Sequence, residues 1–198
     1  PSAVEKGALC VITDRAYDDY PCVVVNDPVT ALQDIARAYR KKLNITVIGI
    51  TGSVGKTTTK EIVASVLCQK YKVVKTEGNF NNGIGLPLTI MSILSDTEIA
   101  VVEMGMNHFG EMELLSSIAL PNMCIMTNIG VSHIENLGSR ENILKAKSEI
   151  FQYMSRTSRC ILNGDDDLLK TLDRPNRCDY GFNSNNDIVV TYSANNKI

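Results

Sequence analysis

A strand-like apolar segment, a glycine-rich turn and a Lys-Thr pair follow one another between Thr46 and Thr58. This order predicts a β-strand that passes through a tight loop into the first turn of a helix. The backbone N–H groups of such a loop, the positive end of the helix and the lysine all attract phosphate. We therefore expect the phosphates of ATP at this loop, which comprises Thr51, Gly52, Ser53, Val54, Gly55, Lys56, Thr57 and Thr58.

The glycine pattern of the loop departs from the strict phosphate-loop motif. That motif has glycine six places before the lysine, where this chain has Ile50. The loop is therefore the shorter T-G-x-x-G-K-T form, in which the Thr57 hydroxyl would be placed to hold Mg²⁺. The competing interpretation is an ordinary Gly/Ser turn. The β-branched segment before the loop and the helical spacing of apolar residues after it favour the nucleotide site.

Short apolar segments alternate with helical stretches along the chain. The predicted strands are Ala8–Thr13, Cys22–Val25, Thr46–Ile50, Val73–Lys75, Ile99–Met104, Met123–Thr127, Arg159–Leu162 and Ile188–Tyr192. The predicted helices are Pro28–Leu43, Lys56–Lys70, Pro87–Leu94, Gly110–Leu120, Glu141–Met154 and Asp165–Leu172. Several strands lack polar alternation, which is typical of parallel strands covered on both faces. The pattern predicts an α/β fold, with a mostly parallel, doubly wound sheet and helices on both faces.

Charge and composition disfavour several classes of partner. The net charge is −2 and the chain has no Trp, so neither a basic patch nor a stacking platform for nucleic acid is indicated. No apolar run approaches the about 20 residues that a membrane span requires. The six cysteines form no C-x-x-C pair and lie mostly in apolar runs. We expect buried thiols in a reducing compartment, and a cytoplasmic protein without a nucleic-acid or membrane partner.

Three residues after or beside apolar segments are candidates for chemistry. Glu103 ends a buried strand, where open α/β sheets bind ligands and where an acid can hold Mg²⁺. The alternative for Glu103 is a solvated carboxylate. His133 also follows a strand and could be a ligand or a hydrogen-bonded structural residue. Lys147 lies within the apolar stripe of its predicted helix, whereas Lys145 points away. A lysine there must extend its ammonium group to solvent, which is the usual outcome, or pair with an opposite charge, or be chemically modified.

An asparagine-rich loop follows another predicted strand. Asn79, Asn81 and Asn82 precede two glycines and a proline. Asparagine is a common turn former, so a purely structural loop is the competing interpretation. The two interpretations given for His133, a ligand or a hydrogen-bonded structural residue, also apply to His108, because it too comes shortly after a strand. The position of both segments at strand ends raises the expectation that they contact a ligand.

Taken together, five segments resemble the ATP-dependent Mur ligases of bacterial cell-wall synthesis. The resemblance extends from about Gly7 to Asp166, in order and in spacing. The matching segments are Thr51–Thr57, Gly78–Pro87, Glu103–His108, Thr127–Glu135 and Lys145–Phe151. The closest similarity is to the member that joins a UDP-N-acetylmuramoyl-tripeptide to D-Ala-D-Ala. The resemblance implies those two substrates and an acyl-phosphate intermediate in amide ligation.

The resemblance also implies roles for individual residues. Lys56 and Thr57 would hold ATP phosphates and Mg²⁺, and Glu103 and His133 would be magnesium ligands. Lys147 matches a lysine that many of these ligases carry as a carbamate, an anion that can bind a second Mg²⁺. Lys56, Lys147 and His133 would be the catalytic set. The asparagines at 79, 81 and 82 match a loop for substrate and phosphate.

The domain organisation follows from the same resemblance. The chain starts without an initiator Met, which we interpret as a cut through a larger protein. Residues 1–27 would be the end of an N-terminal domain that binds the UDP-sugar. Residues 28–198 would form a central ATP-binding domain that is incomplete at its C-terminal end. We expect little or no ligase activity from this piece. Two alternatives remain: a related Mur, folylpolyglutamate or cyanophycin-type ligase, and a nucleotide-binding module without ligation.

Overall fold

The computed structural model describes residues 2–191, and its elements alternate between strand and helix over most of that span. The helices are α1 Ser2–Glu5, α2 Pro28–Arg40, α3 Lys56–Leu67, α4 Gly85–Met91, α5 Glu111–Ala119, α6 Ile134–Leu137 and α7 Arg140–Ser148. The strands are β1 Val11–Thr13, β2 Cys22–Val24, β3 Thr46–Thr51, β4 Val73–Lys75, β5 Ile99–Glu103, β6 Met123–Met126, β7 Arg159–Asn163, β8 Arg177–Gly181 and β9 Ile188–Val189. Two 3₁₀ helices span Glu149–Tyr153 and Leu169–Thr171.

The main sheet has seven described strands in the order β4-β5-β3-β6-β7-β8-β9. Every pair of neighbours in it is parallel, and β3 lies between β5 and β6. The chain leaves β3 for the far edge at β4, returns through β5 and then crosses to β6. This reversal beside β3 is the switch point at which open parallel sheets bind ligands, at the carboxyl ends of the strands. β1 and β2 form a separate two-stranded parallel sheet.

Helices cover both faces of the sheet, as the sequence pattern predicts. The larger apolar cluster packs α2, α4, α5 and α7 against one face, with Ala36, Ile90, Met112 and Ile143 fully buried. The smaller cluster packs α3 against the other face, through Ala64 onto strands β3 and β5. β3 is buried along five of its six residues. A strand covered on both faces has no polar side to alternate, which explains its continuous apolar sequence.

Local signals set several helix starts. Asp27 caps α2, since its carboxylate accepts from the N–H groups of Val29 and Thr30, and Pro28 occupies the first helical position. Ser139 caps α7 in the same way through the N–H of Asn142.

Among the described residues, no helix is long and apolar enough to cross a membrane.

The structure corrects the sequence-based elements in the C-terminal third. The predicted helix Asp165–Leu172 is wrong, because only Leu169–Thr171 is helical and that turn is 3₁₀. The carboxylate of Asp165 accepts from the N–H groups of Phe182 and Asn183, which are distant in sequence. β8 was not predicted. In the predicted strand Ile188–Tyr192 the structure places β9, and Tyr192 lies outside the described residues.

The predicted helix Glu141–Met154 is two elements. The α-helix α7 ends at Ser148, and the chain continues as the 3₁₀ helix from Glu149 to Tyr153. The Glu149 carboxylate accepts from the N–H of Gly110 at the start of α5. Ser116 of α5 in turn donates its hydroxyl to the Ile150 carbonyl at 2.6 Å. These contacts join α5 to the tightened helix, and periodicity within one segment does not report them.

Candidate nucleotide site

The carboxyl ends of β3, β5 and β6 meet at one edge of the sheet and open onto a cleft of about 360 Å³. The loop after β3 contributes Lys56 to the cleft, and the segment after β6 contributes His133. The asparagine-rich loop contributes Asn81 and Asn82. Glu111, at the start of α5, also lines it and was not singled out from the sequence. The structure therefore brings together segments that lie up to about 80 residues apart in the chain.

The loop between β3 and α3 has a backbone that depends on two glycines. Gly55 has φ +81° and precedes the first residue of α3, Lys56. Gly52 has φ +147°, and a Cβ there would lie 1.9 Å from Oγ1 of Thr127. Both conformations are costly for any residue with a side chain. The first N–H groups of α3 lack acceptors within their own helix and point to its N-terminal end, where a phosphate is favoured.

The segment after β6 holds this loop in place. The side-chain oxygen of Asn128 accepts from the N–H groups of Ser53 and Val54, at 3.2 and 3.0 Å. The Thr127 hydroxyl donates to the Val54 carbonyl at 2.6 Å, and the N–H of Gly130 donates to the Ser53 hydroxyl at 2.9 Å. Asn128 was not among the candidates from the sequence. Its position directly after a strand, beside Thr127, is the signal that could have identified it.

Two lysines converge on one carbonyl of the loop. Nζ of Lys56 donates to the Gly52 carbonyl at 2.9 Å, and Nζ of Lys147 donates to the same oxygen at 3.1 Å. Lys147 is 1% exposed, so it does not snorkel to solvent. Burial, reinforced by the nearby charge of Lys56, lowers the pKa of Lys147 to about 7. Burial also lowers the pKa of Lys56, which the charge of Glu103 partly opposes.

Glu103 is a buried carboxylate at the end of β5, not a solvated one. It is 2% exposed. Oε2 accepts from the Thr57 hydroxyl and Oε1 accepts from the side-chain amide of Asn81, both at 2.8 Å. Hydroxyl and carboxylate oxygens are the ligands that Mg²⁺ prefers, so Thr57 and Glu103 fit the metal ion expected from the sequence. Within residues 2–191 no group of three or more His, Cys, Asp or Glu side chains could hold a metal.

His133 lines the cleft from the segment after β6. It precedes α6 with φ +68°. Burial, together with the charges of Lys147 and Lys56, lowers the pKa of its imidazole. A neutral imidazole is the form that can bind a metal ion. His108 contributes its backbone N–H to the Glu111 carboxylate. The structure therefore brings Glu103, His133 and Lys147 around Lys56.

The asparagine-rich loop is organised by its own side chains. Asn81 binds Glu103, as described above. The side-chain oxygen of Asn82 accepts from the N–H groups of Ile84 and Gly85 at the start of α4. The carbonyl of Asn79 accepts from the N–H of Asn81 at 2.7 Å. Asn81 and Asn82 line the cleft, so both the structural and the ligand-binding interpretations of the loop apply to them.

The fold and the site place the chain among the phosphate-loop α/β proteins. Residues 50–197 match the family described as Mur ligase middle domain. The match covers most of the chain, so the chain belongs to the Mur ligase middle-domain family.

One sequence relative and two solved structures are similar to about nine tenths of this chain. The UDP-N-acetylmuramoyl-tripeptide–D-alanyl-D-alanine ligase of Bacillus subtilis (strain 168) is 46% identical over 189 residues, which are 93% of this chain and 41% of the relative. MurF ligase from Thermotoga maritima in complex with ADP is 36% identical, with a TM-score of 0.83 over 91% of this chain and 43% of that one. MurF from Acinetobacter baumannii is 32% identical, with a TM-score of 0.84 over 90% and 41% of the two chains. This chain thus spans less than half the length of the relatives it matches.

The buried state of Lys147 makes the stability of the chain depend on pH. The pKa of its ammonium falls from the ordinary 10.5 to about 7 on folding, so between these values the unfolded chain holds a proton that the folded chain lacks. The free energy of unfolding therefore rises with pH across this window, by at most about 1.4 kcal/mol per pH unit from this group. We expect Lys147→Met to remove that slope in urea denaturation between pH 7 and 10, in bicarbonate-free buffer.

The matched control is Lys145→Met. Lys145 lies two residues earlier on α7, is exposed, and stands over the ring of Phe109. Its replacement should leave the pH slope as in the unchanged chain. If Lys147→Met and the unchanged chain give parallel curves over the window, Lys147 is protonated in the folded state and the assigned pKa is wrong.

Proposed function

We propose that this chain is the nucleotide-binding part of an ATP-dependent amide ligase that extends a peptidoglycan precursor. The observation that carries the proposal is the convergence of Lys56, Thr57 and Glu103 at the first turn of α3, where the first N–H groups of the helix can receive phosphate. Family membership supports a ligase rather than a switch. The name of the B. subtilis relative supports the substrates, a UDP-N-acetylmuramoyl-tripeptide and D-Ala-D-Ala.

The domain assignment belongs to the same proposal. Residues 28–198 would be the central ATP-binding domain, and residues 1–27 the end of the domain that binds the UDP-sugar. The separate β1–β2 sheet supports a boundary near residue 27, because its strands pair with each other and not with the main sheet. The proposed reaction would take place in the cytoplasm.

The residues of the cleft can each be given a task. ATP and a substrate carboxylate are both anions and repel each other. Lys56 and the N–H groups at the start of α3 would offset that repulsion at the phosphates. Thr57, Glu103 and His133 would hold Mg²⁺, which neutralises charge on the phosphoryl group being transferred. The γ-phosphoryl group would pass to the tripeptide carboxylate, and the amine of D-Ala-D-Ala would then displace phosphate to form the amide.

Lys147 would carry a carbamate. Its Nζ shares the Gly52 carbonyl with Lys56, and two full ammonium charges on one acceptor oppose each other. A lysine whose pKa is about 7 is about half free amine at pH 7 and mostly free amine at pH 8, and the free amine is the form that attacks CO₂. The N–C bond forms, one proton is released, and the side chain becomes an anion. That anion next to Lys56 would be favourable and could bind a second Mg²⁺.

The carbamate has a direct spectroscopic test. In ¹³C-bicarbonate at pH 8 we expect a carbamate carbonyl signal from the chain that disappears in Lys147→Met and persists in Lys145→Met. Absence of the signal from the unchanged chain, or its survival in Lys147→Met, contradicts the assignment.

Nucleotide binding is the central test of the proposal. We expect the chain to bind ADP in calorimetry with Mg²⁺, and Lys56→Met to weaken binding by about 10- to 100-fold. This range follows from the loss of a charge-assisted hydrogen bond of about 1.5–3 kcal/mol. Lys72→Met is the control, because Lys72 pairs with Asp96 on the surface, away from the cleft. Equal ADP affinity in the unchanged chain and Lys56→Met would refute the phosphate role of the loop.

The piece by itself should not complete the reaction. The relatives are more than twice as long, so most of the proposed ligase lies outside this chain. We expect phosphate release with ATP, UDP-N-acetylmuramoyl-tripeptide and D-Ala-D-Ala to stay near the rate without peptide substrates. Turnover comparable to that of a full-length relative assayed in parallel would disprove this expectation.

A further inference from the structure

Lys60 is a buried lysine that the proposed chemistry does not use. It lies one turn after Lys56 in α3 and is 1% exposed. An apolar residue is the usual occupant of a helix face that packs on a sheet, because a buried ammonium must be given acceptors. Nζ of Lys60 has two acceptors, the Thr76 carbonyl at 2.7 Å and the Glu61 carboxylate at 3.1 Å. The hydrogen bond to the Thr76 carbonyl is the contact that connects Lys60 to the residues of the cleft.

Thr76 connects Lys60 to the backbone of Glu103. It is fully buried and directly follows β4, the edge strand of the main sheet. Its N–H donates to the Val101 carbonyl at 3.0 Å, and its hydroxyl accepts from the N–H of Glu103 at 2.9 Å. The register of β4 with β5 ends at the pair Lys75 and Val101. The threonine hydroxyl therefore supplies the acceptor that the end of the strand no longer provides.

Helix α3 thus reaches Glu103 by two routes. Thr57 and Lys60 are three residues apart and share a helix face. Thr57 contacts the Glu103 carboxylate directly, and Lys60 acts on the Glu103 backbone through Thr76. Mg²⁺ tolerates little variation in its oxygen distances, about 2.0–2.1 Å. The spacing between a hydroxyl on α3 and a carboxylate on β5 is therefore a quantity that the protein must control.

We propose that Lys60 is a positioning residue, which acts through Thr76 to set the separation of the Thr57 hydroxyl and the Glu103 carboxylate for a Mg²⁺–nucleotide complex. The inference rests on the proposed nucleotide site and deepens it. In this proposal, Lys60 and Thr76 determine how much more tightly the chain binds a nucleotide with Mg²⁺ than the nucleotide alone. The gain in ADP affinity on adding Mg²⁺ is the quantity that they control.

The first test compares ADP affinity with Mg²⁺ and with EDTA. Thr76→Val removes the hydroxyl at nearly constant shape, and Thr76→Ser is the matched control that keeps it. We expect Thr76→Val and Lys60→Met to lower the gain from Mg²⁺ by about tenfold, the usual effect of losing a residue that orients a metal ligand. Affinity in EDTA should stay near that of the unchanged chain. Thr76→Ser and Lys60→Arg should keep most of the gain. An unchanged gain, or equal losses with and without Mg²⁺, overturns the proposal.

The second test needs no nucleotide. Amide hydrogen exchange at Glu103 should be at least about tenfold faster in Thr76→Val and Lys60→Met than in the unchanged chain and Thr76→Ser, because the acceptor is lost or loosened. The amide of Val101, inside the same strand, should change little. Unchanged exchange at Glu103, or a uniform increase along β5, overturns the proposal. If the unchanged chain binds no ADP, the nucleotide function fails, and the exchange data still decide whether Lys60 and Thr76 position Glu103.

Discussion

The contact between the loop after β3 and the segment after β6 fixes the geometry of the whole cleft. Parallel neighbours bring both segments to the same edge of the sheet. Gly52 leaves room for Thr127, whose hydroxyl holds the Val54 carbonyl, and Asn128 binds two N–H groups of the loop. A glycine-rich loop has no preferred shape of its own. Because the segment after β6 holds this loop from one side, the loop directs the start of α3 and Lys56 into the cleft.

The site concentrates buried charges that would be unfavourable singly. Lys147 and Glu103 are almost completely buried, and each forms hydrogen bonds to groups in the loop or beside it. Removing a charged group from water is tolerated when hydrogen bonds and opposite charges replace the lost hydration. Lys147 meets this requirement least well, because its acceptor is shared with Lys56. Burial, together with the charge of Lys56, lowers its pKa, and this is the property that makes a modification of Lys147 chemically accessible.

Sequence reasoning succeeded where the determinants are local and failed where distant groups decide. The strands β3, β5 and β6 are apolar runs, so their burial can be predicted from the sequence. β8 is polar, with Arg177 and Asp179 paired to each other, and it carries no such signal. The segment from Asp165 to Leu172 has a helical composition. Its carboxylates bind N–H groups of Ile129 and Phe182 instead, and those contacts outweigh the local preference.

The sequence by itself determined the phosphate loop, the alternation of strands and helices, and the unusual placement of Lys147 in an apolar stripe. Each of these depends on spacing within a few residues. The tertiary structure decided which groups meet: Lys147 with the Gly52 carbonyl, Asn128 with the loop, and Lys60 with Thr76. The partners in these pairs lie between 16 and 95 residues apart, because the order of the strands brings them to one edge. No periodicity along the chain encodes such a meeting, since it arises only when the strands align in register.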